Sequence, residues 1–384
     1  MVCVFSITTG EFVIAGILPD IAADVAVSIP SAGLLVTAYA LGMIAGGPIL
    51  TALTARFPRK PLLLVLLVVA IAGNLASALA PAYPVLFVAR IVTALVTATF
   101  FANAIVIAAS TAPPGTQAST VSKLVFGMNL AMILGAPIGT FIGNDFGWRA
   151  TFLAIAACGA VGSVLVLRLV PDVRDATPGT SAMAELRVFR RRDVQLAITV
   201  TAVGNMGLLT VFTYLSPLLV DVTGFAAGTV AVLLLVYGVG ATFGNLAGGR
   251  LSDRALMPSQ IGLLASLAVA LVLMWTVSSS IVFTAILVFV IGALGFSVIP
   301  GMQARVLTTA TAAPTLAVAV NASAYQLAAA IAPWLGGQVI NGGLGLRSIY
   351  LVGAAVTVAG IAVSCGAWLR DRRVAGVRRS ATST

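Results

Sequence analysis

Histidine is absent from the 384 residues, and cysteine nearly so, with only Cys3, Cys158 and Cys365. The first absence removes the side chain whose unperturbed charge changes near neutral pH, so proton chemistry falls to carboxylates. The second argues against a disulfide framework, since three thiols in apolar runs have neither paired nor metal-ligand spacing. Charge is scarce too: Asp, Glu, Lys and Arg make up 8% of the chain against 60% hydrophobic residues. A soluble domain carries about 25% charged residues, and a water-facing surface cannot be built from so few. A lipid-facing one can. No Gly-x-x-x-x-Gly-Lys-Ser/Thr loop occurs to cradle a nucleotide phosphate. No nucleophile–base or metal constellation suggests an enzyme, so no metal and no cofactor are expected.

What is present is a recurrence of apolar runs with short polar breaks. The runs predict twelve transmembrane helices over 2–19, 32–54, 62–80, 84–109, 122–143, 149–169, 194–219, 227–249, 259–278, 281–303, 315–340 and 347–369. Backbone groups in lipid must bond internally, so the runs are helices. Twelve spans of about 20 residues take about 240 residues, leaving short loops and one longer linker. The segment from Met1 to Leu18 has no basic n-region or small-residue cleavage site and reads as a first membrane helix, not a signal peptide. It is short for a span, so the natural start could lie several residues upstream.

The net charge of +10 suggests nucleic acid only until its placement is considered. With both termini in the cytoplasm, Arg149 and Arg347 alone fall outside and Arg90 within the membrane; every other Lys and Arg of the 21 lies inside. The basic charge then faces lipid headgroups, and no nucleic-acid partner is expected. The predicted organisation is an N-terminal six-helix bundle (1–170), a cytoplasmic linker (171–193) ending in the Arg190–Arg192 run, a C-terminal bundle (194–370) and a basic tail (371–384). A short interfacial helix within 183–192 fits the linker.

An internal repeat supports the division. At a shift of 198 residues, Pro19 meets Pro217, Tyr39 meets Tyr237, Gly42 meets Gly240, Gly46 meets Gly244, Leu53 meets Leu251 and Arg56 meets Arg254. With a gap of two absorbed, Pro137 meets Pro333 and Arg149 meets Arg347.

Several segments resemble the major facilitator superfamily along essentially the whole chain. Thr51-Ala-Leu53-Thr-Ala55-Arg56-Phe-Pro58-Arg59-Lys60 is similar to the family signature Gly-x-Leu-x-Asp-Arg-x-Gly-Arg-Arg, with Thr51, Ala55 and Pro58 departing from it. Gly249-Arg-Leu251-Ser-Asp253-Arg254 matches its first part better. Gly135-Ala136-Pro137-Ile-Gly139 resembles the Gly-Pro-x-x-Gly signature of the family's proton-coupled exporters. Arg90 resembles the Arg motif of the fourth helix. Together with Gly10-Glu11-Phe12 and Trp148-Arg149-Ala-Thr-Phe152, these place the resemblance nearest the bacterial drug–proton antiporters, among chloramphenicol-resistance exporters and arabinose-efflux-like proteins. The resemblance implies an all-α membrane protein of two pseudo-symmetric six-helix bundles. It implies conformational motifs at Arg56, Arg59, Lys60, Asp253, Arg254, Gly135, Pro137 and Gly139. Ordinary small-residue helix packing would equally explain the glycines.

Only two ionisable residues lie deep in these spans, Glu11 and Arg90. Each costs at least about 2.5 kcal/mol at the bilayer centre and is a functional candidate by default. Glu11 is the expected proton carrier; its other reading is a structural partner of polar groups. Arg90 could tune Glu11 or lock its helix through backbone carbonyls. Asp20, at a helix end, is a lesser candidate for proton coupling. Candidate substrate contacts are Phe12, Asn103, Phe126, Asn129, Asn205, Tyr214, Tyr237, Asn321 and Tyr325, with Asn245 and Gln326 also on core-prone helices. For each singly, interhelical hydrogen bonding is the commoner role. Together they suggest an apolar pocket with few fixed charges. The expected function is proton-driven efflux of small amphipathic compounds, phenicol antibiotics among the candidates, by a monomer in the cytoplasmic membrane. Efflux of sugars or metabolites, import, and a non-transporting sensor remain alternatives.

Overall fold

The computed structural model describes residues 1–54, 57–111, 127–128, 130–170, 192–309 and 314–382, and among them there is no strand. In chain order the helices are α1 (Val2–Phe12), α2 (Ile14–Asp24), α3 (Ile29–Thr54), α4 (Arg59–Ala78), α5 (Tyr83–Ser110), α6 (Ala136–Phe146), α7 (Trp148–Leu169), α8 (Arg192–Thr213), α9 (Ala227–Arg254), α10 (Leu256–Val277), α11 (Ile281–Thr309), α12 (Pro314–Asn341) and α13 (Ser348–Thr382). A π-helical turn, Ala131–Gly135, leads into α6, and two short segments, Leu215–Pro217 and Leu218–Thr223, extend α8.

Among the described residues nine helices are long and apolar enough to cross a membrane, or ten if α1 and α2, bent by 53°, form one broken span. Of the twelve expected, that leaves the fifth, 122–143, of which residues 122–126 and 129 lie outside the described set, and the eleventh, α12, which adjoins undescribed residues 310–313. The protein is an all-α, multi-pass membrane protein. Several spans run beyond the apolar limits read from sequence, α9 to Arg254 and α11 to Thr309 among them. The first span continues through the break at Val13 to Asp24, and α13 continues to Thr382, because Arg and Ala extend a helix well.

The described residues fall into two compact units that do not follow the sequence halves. One comprises Met1–Pro178, Phe212–Gly238 and Ala329–Leu346; the other comprises Gly179–Val211, Val239–Ala328 and Arg347–Thr384.

In the first unit, small residues set the helix spacing. A Cβ on Gly135, Gly139 or Gly143 would lie 2.0 Å from Thr9 Oγ1, 2.5 Å from Val13 Cγ2 and 2.6 Å from Ile17 Cγ2. Three glycines at four-residue spacing thus form one face, and α1–α2 lies on it with the same spacing. Pro137 has no N–H to give the preceding turn, and the wide Ala131–Gly135 turn falls just there.

The repeat has a physical basis. Gly42 and Gly46 of α3 face the carbonyl oxygens of Ile91 and Leu95 on α5, at 2.8 and 2.1 Å from a built Cβ. In the second unit Gly240 and Gly244 of α9 face the carbonyl oxygens of Phe289 and Ala293 on α11, at 2.3 and 1.8 Å. Both members of each glycine–carbonyl pair recur at the same shift. Arg149 and Arg347 recur for a different reason. Arg149 Nη2 donates to Ala80 O at 3.0 Å, just past α4, and Arg347 Nε and Nη2 donate to Trp275 O, in the last turn of α10, at 2.9 and 2.7 Å. Each supplies donors to carbonyls that a helix end leaves free.

Candidate functional site

The break between α1 and α2 lies immediately after Glu11 and Phe12. Gly10 and Gly16 flank it, and Pro19 removes a bond one turn later. Arg90, wholly buried on α5, reaches this point and donates Nη1 to the carbonyl of Gly10 at 2.7 Å. Its guanidinium carbon lies 4.3 Å from the centroid of Tyr39 and 5.9 Å from that of Phe152. Aromatic faces attract a cation whose hydration has been lost. The Tyr39 hydroxyl is in turn paired with Thr97 Oγ1 at 3.0 Å. Glu11 is half-buried and within electrostatic reach of both Tyr39 and Arg90. Arg90 therefore combines a hold on a backbone carbonyl with a charge that the Glu11 carboxylate senses.

Phe12 borders a small apolar cavity of about 10 Å³, lined also by Met132, Ala136, Phe212, Leu234 and Tyr237. Phe12 and Phe212 meet edge-to-face at 6.1 Å between centroids, and Phe212 lies against Tyr237 at 5.0 Å. Drug-sized ligands need about 300–1,000 Å³, so in this conformation the cavity is closed down to about the space of one water molecule. Of the substrate contacts expected from sequence, Phe12 and Tyr237 come together here. Met132, Ala136, Phe212 and Leu234 were missed, because an apolar residue in an apolar span carries no mark of its neighbours.

Tyr214 is elsewhere. It is wholly buried and donates its hydroxyl to the carbonyl of Pro333 at 2.6 Å. Its hydroxyl oxygen lies 2.6 Å from where Gly33 would carry a Cβ and 3.3 Å from the same point on Gly337, so two glycines form its socket. This corrects the expectation that Tyr214 offers its polar tip to a ligand. Thr37 Oγ1 to Ala330 O (2.7 Å) and Asn144 Nδ2 to Ala227 O (3.0 Å) accompany it in the first unit.

Asn103 is buried, donates Nδ2 to Thr99 O at 2.9 Å, and accepts a 3.5 Å bond from Arg59. In the second unit Asn205 donates to Thr201 O and Met302 Sδ at 2.7 and 3.0 Å, and Asn321 accepts from Thr201 Oγ1 at 2.6 Å. These three do the helix-to-helix work common to buried amides. Asn245 and Tyr325 are half-buried, Gln326 is buried, and Lys60 is half-buried. Gly135, Pro137 and Gly139 are buried where α6 and its leading turn meet the first span. Arg56, Phe126 and Asn129 lie outside the described residues.

Two charge pairings were not read from the sequence. Asp20 is half-buried, but Asp24, overlooked there, is the paired acid. It binds Arg149 and accepts from Trp148 Nε1 at 3.2 Å. Asp253 and Arg254, expected as a latch, are exposed at the end of α9. The buried cation in the second unit is Arg305, 3% exposed, which pairs with Asp371 at 3.0 Å and also touches Met257 Sδ; Arg370 pairs with Asp193 at 3.1 Å. These pairings follow from α13, whose helical extension carries Arg370 and Asp371 alongside α8 and α11.

A sequence model described as Major Facilitator Superfamily matches residues 1–315. The inner membrane transport protein YdhP of Escherichia coli (strain K12) is 38% identical over 359 residues, covering 94% of this chain and 92% of that protein. The chloramphenicol resistance protein of Streptomyces lividans is 34% identical over 366 residues, covering 93% and 92%. A crystal structure of a D-xylose-proton symporter matches with a TM-score of 0.73 over 96% of this chain and 95% of that one; at 17% identity the likeness is one of fold.

Proposed function

Because the chain belongs to the major facilitator superfamily, we propose that it exports small amphipathic compounds across the cytoplasmic membrane in exchange for protons, with Glu11 as the proton carrier. The observation that carries this reading is the junction at the break in the first span. The acid and the first wall of the cavity are consecutive residues, Glu11 and Phe12, and Arg90 holds the carbonyl just before them. Moving the break moves both groups, so proton binding and ligand binding act on one element.

Protonated Glu11 favours one conformation of the carrier, ligand entry favours proton release, and the exchange repeats on the other side. One charge moved through 100 mV supplies about 2.3 kcal/mol before the pH gradient is counted, so no nucleotide is required. The few fixed charges around the cavity suit neutral amphiphiles. The name of the Streptomyces lividans relative makes chloramphenicol the first compound to try.

With both termini cytoplasmic, as the Lys and Arg placement predicts, the Gly147 end of the helices faces outward. The hydroxyl of Tyr214 and its two companion bonds then hold that end of the first unit closed. The chain acts as a monomer in this scheme. The test is drug tolerance in an efflux-deficient host. Expression raises tolerance to chloramphenicol or another amphiphile, and Glu11→Gln abolishes the gain. Undiminished tolerance in Glu11→Gln removes the proton role.

A further inference from the structure

Two unmet hydrogen-bonding demands lie close together inside the first unit. Arg90 is wholly buried, and its Nε and Nη2 have no hydrogen-bond partner among the described residues. These two N–H groups form one edge of the guanidinium, the parallel pair that binds oxygen. Asn74 of α4 is 4% exposed, donates Nδ2 to Ala70 O at 2.8 Å, and leaves Oδ1 without a partner.

Packing sets both residues at one level. Gly73, next to Asn74, lies with its built Cβ 2.2 Å from Thr93 Oγ1 and 3.4 Å from Ala89 O, and both of those residues are within a turn of Arg90 on α5. Gly10 touches both sides. Its carbonyl takes Arg90 Nη1, and the nearest atoms to its missing Cβ are Asn74 Oδ1 and Ile155 Cγ2, each at 3.7 Å. A methyl-sized group therefore fits in front of Gly10, beside an unused acceptor and next to a residue with two unused donors. Buried polar groups left without protein partners are normally bridged by ordered water, given room and two to four polar partners.

We propose that an ordered water is bound in front of Gly10, between Asn74 Oδ1 and the Nε–Nη2 edge of Arg90, and that Asn74 acts through it as a positioning residue for Arg90. The water accepts from the guanidinium edge and donates to the amide oxygen. Arg90 is then anchored on two sides, by the water and by the Gly10 carbonyl. The hydration site needs no assumption about transport. Its effect on Glu11 rests on the reading of Glu11 as proton carrier: a fixed guanidinium fixes the field at that carboxyl. The charged and titratable groups placed against Arg90 are Glu11 on α1 and Tyr39 on α3.

Radiolytic hydroxyl footprinting of the full chain in lipid nanodiscs tests the site, because a bound water oxidises buried side chains around it. Tyr39 and Phe152, both buried against Arg90, are expected to be labelled, with buried Phe100 as the dry reference. Asn74→Leu removes the acceptor and Gly10→Ala fills the space, and each lowers that labelling severalfold. Asn74→Ser, which keeps an oxygen, restores it. Tyr39 and Phe152 as inert as Phe100, or labelling unchanged in both Asn74→Leu and Gly10→Ala, overturns the site. Gly10→Ala keeps the test decisive if Asn74→Leu does not fold. Infrared titration of the Glu11 carboxyl band tests the positioning role, with a shifted midpoint expected in Asn74→Leu and recovery in Asn74→Ser. An unshifted midpoint overturns that role. A Glu11 that never titrates refutes the proton-carrier reading while leaving the water site standing.

Discussion

Replacing Gly244 with alanine separates backbone contact from ordinary helix propensity. The new Cβ would lie 1.8 Å from the carbonyl oxygen of Ala293 and 2.5 Å from the carbonyl carbon. Carbon and carbonyl oxygen settle at about 3.3 Å or more, so α9 and α11 must part locally by roughly 1.5 Å. A carbonyl inside a helix cannot rotate away as a side chain can. A gap of about 0.5–1 Å already forfeits a quarter to a half of each dispersion contact it opens, and overpacking of this kind costs about 1–3 kcal/mol. Gly249, on the same helix, faces open space. There the same substitution removes only the glycine penalty, a gain of about 0.5–1 kcal/mol. The glycine penalty is relieved at both positions, so the two variants should differ by the overpacking cost, about 1–3 kcal/mol. A thiol-reactive fluorophore can follow thermal unfolding in detergent, because Cys3 is buried and Cys158 and Cys365 are half-covered. Gly244→Ala melting at or above Gly249→Ala would refute the reasoning. Gly46→Ala, 2.1 Å from Leu95 O, should repeat the loss in the other half.

Three further outcomes are expected. Asp371→Asn should destabilise the protein more than Asp193→Asn, since Arg305 is 3% exposed and Arg370 is 37% exposed; equal melting temperatures would contradict this. Tyr214→Phe removes a hydroxyl bond worth about 0.5–1.5 kcal/mol, so a cysteine placed at buried Ala32, with the native cysteines replaced, should react several times faster with maleimide. Unchanged reactivity would mean that Tyr214 does not hold that end. Phe212→Ala, which strips the partner shared by Phe12 and Tyr237, should weaken transport of ring-bearing drugs while leaving Glu11-dependent proton binding intact.

The fold was legible because lipid makes composition decisive. Few charges, spaced apolar runs and the one-sided placement of Lys and Arg leave little but a helical bundle. The repeat was legible for a packing reason, since Gly42, Gly46, Gly240 and Gly244 sit where backbones touch and no other residue fits. The site was legible only where polarity broke an apolar run. Glu11 and Arg90 stood out on that ground, and in the structure they lie within electrostatic reach of each other. Phe212, Met132 and Leu234 did not, because the pattern that buries them is the pattern that faces lipid. Asn74 was passed over because an amide on a span so often bonds only its own helix, and half of it does. Arg305 and Asp371 were read as loop and tail charges because α13 continues as helix past its apolar stretch. Tyr214 was assigned to a ligand on its residue type, whereas its position beside Gly33 and Gly337 depends on segments far apart in sequence.

The most direct test of proton-coupled export is a proton-flux measurement on inverted membrane vesicles with an acidified lumen and a pH-sensitive dye. Chloramphenicol, ethidium and a small set of neutral amphiphiles are added in turn. At least one should release protons from the lumen in vesicles carrying the parent protein, and none should do so in vesicles carrying Glu11→Gln. Uptake of a compound without proton movement, or equal proton release by Glu11→Gln, would contradict the account.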